Sequence, residues 1–241
     1  MPLRLLRYLP FLFALSATAA IADPITVDTA SGALTLPEQP KRIVALDVAA
    51  IDTLTALGAK PSGVVAPLFV SYLGEATSGV PVVGSMFEPD FEAIAALGPD
   101  LIVVGGRSVA MSSALSAIAP VADMTIGTDT IADGLSRLDA YGALTGTEDM
   151  AGDLQVAIAE RLDQARAMVA DRGNALILMT NGPKLSVFGQ DSRFGWLHKD
   201  LNWPEAVENV TASRHGEAVT FEYIAAADPG TLIVIDRGQA V

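Results

Sequence analysis

The sequence predicts an α/β protein with two α/β lobes, each built on a parallel sheet, joined by one long backbone helix. Residues 91–107 and 221–237 are near copies: Phe, Glu, Ile, paired alanines, a proline, an aliphatic run and a final arginine coincide without a gap. Short apolar runs alternate with helical segments elsewhere, which is typical of layered parallel sheets. The longest helical pattern, residues 147–171, lies between the copies. Two pseudo-symmetric lobes with a stiff connector explain all three observations.

The first 22 residues have the pattern of a secretory signal. Arg4 and Arg7 precede an apolar stretch, and Ala20-Ile21-Ala22 forms an A-x-A cleavage site. The apolar stretch is too short to span a membrane convincingly. We therefore expect residues 1–22 to be a cleaved signal peptide and the mature protein to be periplasmic.

The composition excludes several classes of partner. A net charge of −13 disfavours nucleic acid and anionic membrane surfaces. The chain has no cysteine, so disulfides and a lipid attached at the cleavage site are excluded. We expect a monomer without a membrane anchor.

The first lobe is predicted to cover residues 23–145. It opens with a small hairpin at residues 24–37, and glycine or Gly-Pro punctuation ends its helices. Its predicted buried strands are residues 43–46, 63–65, 81–84, 101–104 and 120–122. Its predicted helices are residues 49–57, 110–119 and 131–144, besides the helix of the first copy.

The connecting helix is predicted within residues 146–173, with Thr147 as its N-cap and Gly173 closing it. The second lobe, residues 174–241, has predicted strands at 175–179 and 185–188, a short helix around Arg193, and the second copy. A lobe matching the first would continue past Val241, so we expect the second lobe to be incomplete.

Three arginines are the candidate ligand-binding residues. Arg107 and Arg237 follow the carboxyl ends of the repeated strands, where open α/β sheets bind ligands. Arg193 lies in the loop before the short helix. Guanidinium groups suit carboxylate, phosphate or catecholate oxygens, so repeated arginines in an acidic protein favour a specific anionic ligand. The alternatives are solvated strand-end residues and, for Arg193, an ion pair with Asp191 or Asp200.

The chain has two histidines. His215, beside Gly216 in a polar loop, is a candidate iron or copper ligand at the cleft or, alternatively, a surface histidine; His198 is expected to be a surface or packing residue. Two histidines without cysteine do not make the usual zinc or manganese site. The chain has no G-x-S-x-G, H-E-x-x-H or P-loop motif. We therefore expect a binding protein with no intrinsic cofactor, and not an enzyme.

Several of these segments resemble one family. Residues 40–47 and 51–58, the first copy with its leader 88–107, residues 192–195, 215–216 and 234–237 are similar to periplasmic substrate-binding proteins of iron-siderophore ABC importers, in the ferric-catecholate branch. The resemblance implies two lobes bridged by a long helix, with little hinge motion on binding.

The resemblance also implies roles for individual residues. Arg107, Arg193 and Arg237 would surround a negatively charged ferric siderophore. The histidine matching His215 would complete the iron coordination together with a tyrosine that falls beyond Val241. Glu92 and Glu222, one in each copy, would dock on the membrane subunits of the ABC permease, although acids there also complement a helix dipole.

The leading hypothesis is therefore a receptor that delivers an anionic Fe(III)-siderophore to an ABC importer. Two alternatives remain: a haem or cobalamin receptor of the same fold, and an exported sensor or degenerate remnant without a transport role.

Overall fold

The computed structural model describes residues 23–211 and 215–237, and the predicted signal peptide, residues 1–22, lies outside the described residues. Two α/β sheets lie on either side of one long helix in the chain order, which confirms the predicted fold class. A separate two-stranded hairpin precedes the first sheet, as predicted for residues 24–37.

The first lobe has a four-stranded sheet of order β4-β3-β5-β6, parallel throughout. Strand β5 lies inside the sheet, and all four of its residues are fully buried. Such a strand is apolar on both faces, which explains its uninterrupted aliphatic run. The strands are β1 (Ile25–Thr29), β2 (Gly32–Leu36), β3 (Ile43–Ala45), β4 (Gly63–Val64), β5 (Leu101–Val104) and β6 (Val121–Asp123). The helices are α1 (Val48–Ala56), α2 (Leu73–Ala76), α3 (Phe91–Leu97), α4 (Ser112–Leu115) and α5 (Thr130–Thr145).

Two predicted elements of this lobe are wrong in extent. Residues 81–84 form no strand; Val82 makes an isolated bridge with Val64. Pro81 has no N–H to give to a ladder, and Gly84 has a positive φ of 90°. Residues 110–119 form a short 3-10 turn and the four-residue α4 instead of one long helix. Ser112 hydrogen-bonds back to the Val109 carbonyl (2.7 Å), a local contact that competes with regular helix formation.

The connecting helix α6 (Glu148–Val169) has 22 residues, so it is about 33 Å long. Thr147 is its N-cap, as predicted, but the hydroxyl pairs with the Thr145 hydroxyl (2.7 Å) and not with a helix N–H. The Gln155 amide donates to Asp139 of α5 (2.7 Å), and Arg166 donates to the backbone carbonyl of Asp200. The helix is therefore attached to both lobes. Along the described ranges, no helix has the length and apolar character that a membrane span requires.

The second lobe has a sheet of order β10-β7-β8-β9. The expectation of a parallel sheet holds for β7 and β10, but β8 is antiparallel to both of its neighbours. The physical reason is the tight turn at Gly182, whose φ of 57° suits a hairpin. Its elements are β7 (Ala175–Asn181), β8 (Lys184–Phe188), α7 (Trp196–Lys199), β9 (Glu217–Val219), α8 (Phe221–Ala227) and β10 (Thr231–Asp236).

The two sequence copies fold alike, which confirms the predicted repeat. Helices α3 and α8 each have seven residues and end on a left-handed residue, Gly98 (φ 58°) and Asp228 (φ 41°). Their following strands differ in burial, because β5 lies inside its sheet while β10 lies at an edge. Leu232 and Val234 of β10 are consequently 43% and 52% exposed.

Candidate functional site

One cleft of about 640 Å³ is lined by residues of both lobes. The first lobe contributes the turn after β5, the first turn of α1 and the loop after β6, and the second lobe contributes the loop after β8. Arg107 and Arg193 both line this cleft, so the structure brings two of the three predicted arginines together. Its lining residues are Asp47, Ala49, Gly105, Gly106, Arg107, Val109, Met124, Thr125, Ile126, Gly127, Thr128, Asp191, Ser192 and Arg193.

Arg107 lies in a turn that buried hydrogen bonds of the next residue, Ser108, hold in place. The fully buried Ser108 hydroxyl donates to the Leu46 carbonyl (3.0 Å) and accepts from the Gly105 N–H (3.1 Å), which joins the ends of β3 and β5. The guanidinium carbon of Arg107 lies 5.3 Å from the centroid of the Phe87 ring. This cation–π contact holds an exposed cation in one place at the cleft.

Asp47 lines the cleft on the side of the first lobe, and its carboxylate faces the N-terminus of α1. Its carboxylate accepts from the Ala49 N–H (2.9 Å) and the Ala50 N–H (3.2 Å), so it caps α1. The helix dipole offsets its negative charge. Gly105 leaves room for it, since an added Cβ at that position would collide with the Asp47 carboxylate.

Arg193 is held by aromatic rings of the second lobe. Its guanidinium carbon lies 4.5 Å from the centroid of Phe194 and 5.6 Å from that of Phe188. Its NH2 group also contacts Met179 Sδ (3.6 Å). The Thr130 hydroxyl donates to the Arg193 carbonyl (3.3 Å), which links the second-lobe loop to the first turn of α5.

Two neighbours of Arg193 have contacts of their own. Asp191, one of the two ion-pair partners considered for Arg193, binds Lys199 (3.0 Å). The Ser192 hydroxyl donates to the Gly189 carbonyl (2.6 Å) and accepts from the Phe194 N–H (3.3 Å). These bonds shape the loop that presents Arg193.

Arg237 and His215 lie outside the described lining of the cleft. Arg237 is exposed at the carboxyl end of β10, where its N–H donates to the Thr180 carbonyl (2.9 Å). His215 is exposed in the turn before β9. The adjacent Gly216 packs so closely on Phe188 that an added Cβ would lie 2.8 Å from the ring. The chain beside His215 therefore packs on Phe188, one of the rings that contact Arg193.

Glu92 and Glu222 occupy equivalent places, as the second residues of α3 and α8, and both are exposed. Helix α8 begins at the carboxyl end of β9, which runs parallel to β7 because both are antiparallel to β8. A hydrogen bond from its own backbone N–H, and then one involving Thr220, lowers the pKa of Glu222.

His198 has no place at the cleft. It is 6% exposed, and its Nδ1 lies 2.8 Å from the Trp203 carbonyl, so of the two expected roles, surface or packing, it has the packing role.

Sequence reasoning missed Phe87 and the loop of residues 124–128. The rule that predicted Arg107, a position just past a parallel strand, applies equally to residues 124–128 after β6. No pattern marked Phe87, whose pairing with Arg107 arises from folding.

Comparison with known proteins identifies the family. The pattern of the family described as periplasmic binding protein matches residues 43–240. The chain belongs to this family. Its sequence is 33% identical over 211 residues to the petrobactin-binding protein YclQ of Bacillus subtilis. The aligned region covers 86% of this chain and 67% of YclQ.

Two solved structures share this fold over most of the chain. The crystal structure of YclQ superposes with a TM-score of 0.84 at 31% identity, covering 90% of this chain and 79% of that one. The periplasmic catecholate-siderophore binding protein VctP of Vibrio cholerae gives a TM-score of 0.80 at 31% identity, covering 89% and 79%. These relatives are siderophore-binding proteins of the family, which confirms the resemblance seen in the sequence.

Proposed function

We propose that the protein is an extracytoplasmic receptor that captures an anionic ferric siderophore of the catecholate type and delivers it to an ABC importer. The observation that carries this proposal is the position of Arg107 and Arg193, which come from different lobes and line one cleft. Two arginines that contact aromatic rings line one cleft, although the chain as a whole has a net charge of −13. Relatives that bind catecholate siderophores support the same ligand class.

The charges of ligand and cleft are complementary. A ferric tris-catecholate carries about three negative charges, and at an effective dielectric constant of about 20 each close ion pair gains roughly 4 kcal/mol before desolvation is subtracted. The aromatic contacts of Arg107 and Arg193 reduce the freedom that each side chain loses on binding. We propose that Arg237 supplies a third cation and that His215 ligates iron when the chelate leaves coordination sites open.

Titration with a ferric tris-catecholate tests the proposal, with tryptophan fluorescence and calorimetry as the measurements. We expect Arg107→Gln and Arg193→Gln each to weaken binding at least tenfold, about 1.4 kcal/mol. Arg161→Gln, on the exposed side of α6, is the matched control and should bind like the wild type. Haem and cobalamin serve as competing ligands. Wild-type affinity in both cleft variants would refute the charge-based site.

We further propose that the protein reaches the periplasm through residues 1–22 as a cleaved signal, and that Glu92 and Glu222 dock on the permease. Both glutamates are exposed at the starts of equivalent helices. The double change to glutamine should lower the ATPase activity that the loaded receptor stimulates in the reconstituted permease, without changing chelate affinity. Glu160→Gln on α6 is the control. Unchanged stimulation in the double variant would contradict this docking role.

A further inference from the structure

A second, open cavity of about 250 Å³ lies beside the cleft and is lined mainly by α1, α5 and α6. Ala49, Met124 and Ile126 line both cavities, so these residues form the boundary between them. Apolar side chains dominate the remaining wall. Its lining residues are Ala49, Ala50, Asp52, Thr53, Ala56, Met124, Ile126, Gly134, Arg137, Leu138, Tyr141, Leu154 and Ile158.

The charged members of this lining are engaged with groups elsewhere in the first lobe. Asp52 accepts from the Tyr72 hydroxyl (3.0 Å). Arg137 donates to the Asp28 carbonyl (3.0 Å) and more weakly to the Thr125 carbonyl (3.5 Å). The space that remains is therefore mainly apolar.

Tyr141 contributes its ring to the wall of this cavity. The residue is 2% exposed, and its hydroxyl is buried without a hydrogen-bond partner among the described residues. Burial, and then the nearby Asp47 charge, raise the pKa of the phenol well above its usual value, so the hydroxyl keeps its proton. Because the hydroxyl itself is inaccessible, Tyr141 adds apolar surface to the cavity.

We propose that this cavity receives an apolar substituent of the ligand whose iron chelate lies in the cleft. This inference rests on the proposed function and narrows its ligand to an amphiphilic chelate. The size is sufficient, because an apolar cavity of about 150 Å³ in another protein holds benzene. Ala49, with its small side chain, lies at the boundary that the substituent would cross.

Two matched probes test the inference: ferric tris-catecholates that differ in an acetyl or a hexanoyl amide on the linker. Each methylene that becomes buried is worth roughly fourfold in affinity. We expect the wild type to bind the hexanoyl chelate at least about tenfold more tightly than the acetyl chelate. Equal affinity for the two probes overturns the inference and leaves the proposed function standing. Failure of the wild type to bind either probe overturns both.

A cavity-filling variant separates specific insertion from general attraction of an acyl chain. Gly134 lines the cavity, and an added Cβ there would meet no atom within 4 Å, so Gly134→Leu fills space without a backbone clash. The control is Gly152→Leu in α6, which is equally unobstructed and lies outside the lining. We expect Gly134→Leu to abolish the hexanoyl advantage while acetyl binding stays at the wild-type level. The same advantage in both variants overturns the inference.

Discussion

Replacing Ser108 by alanine tests whether the cleft is held by a buried hydrogen-bond bridge. The Ser108 hydroxyl is fully buried and joins the Gly105 N–H (3.1 Å) to the Leu46 carbonyl (3.0 Å). Ser108→Ala removes both bonds and leaves a buried donor and a buried acceptor without this partner. Each such group costs about 1–2 kcal/mol when the surrounding backbone can relax, so we expect the free energy of unfolding to fall by roughly 2–4 kcal/mol.

Urea denaturation followed by fluorescence measures this loss, and thermal unfolding supplies a second estimate. For a protein of this size each kcal/mol lowers Tm by about 2–4 °C, so a fall of roughly 4–16 °C is expected. Chelate affinity should fall as well, because Arg107 lies in the turn that the bridge holds. Ser113→Ala, at an exposed position of α4, is the control and should change stability by less than about 0.5 kcal/mol.

The reasoning fails if Ser108→Ala and Ser113→Ala unfold at the same urea concentration. A loss of stability with unchanged chelate affinity would show instead that the bridge supports the sheet but does not position Arg107.

Two further predictions concern the equivalent helix ends and one ion pair. Gly98 and Asp228 both have left-handed backbone, which glycine adopts more easily than other residues. In urea denaturation, Gly98→Ala should therefore destabilise the protein by about 1 kcal/mol, and Asp228→Gly should stabilise it by about 0.5–1 kcal/mol. Changes of the same sign in both variants would contradict this account. Hydrogen bonding and charge from Arg42 lower the pKa of Asp100 below its ordinary value of 3.8. Its stabilisation is therefore complete above that value and is lost as the pH falls through the lowered folded pKa. In Asp100→Asn, the free energy of unfolding should fall less steeply than in the wild type as the pH is lowered. An equally steep fall in the variant would show that this carboxylate does not contribute to the loss of stability in acid.

Much of the fold could be predicted because its signals are local. The aliphatic run of β5 identifies a buried strand wherever it occurs, and the Gly98-Pro99 stop ends α3 at the predicted place. The repeat adds a long-range relation that local patterns lack, since two similar segments predict two similar units. Errors arose where a single backbone feature decides the outcome: Pro81 prevents a strand, and the Gly182 turn makes β8 antiparallel.

The candidate site could be predicted only in part. Arg107 follows from a rule about strand ends, and that rule needs only the order of elements along the chain. The aromatic contacts of Arg107 and Arg193 depend on packing between segments, so neither contact has a sequence signal. Arg237 has the same strand-end support as Arg107, whereas His215 rests on its loop position and on the resemblance; both stay predictions.

The amino-acid sequence by itself determined the α/β class, the repeated helix-strand-arginine unit and the acidic background in which those arginines stand out. Periodicity, punctuation and charge are properties of neighbouring residues, so they need no knowledge of the folded chain. Only the tertiary structure decided that Arg107 and Arg193 line one cleft and that a second, mainly apolar cavity lies beside it. Cavities form between segments that are distant in the chain, and their walls depend on how the lobes and helices pack.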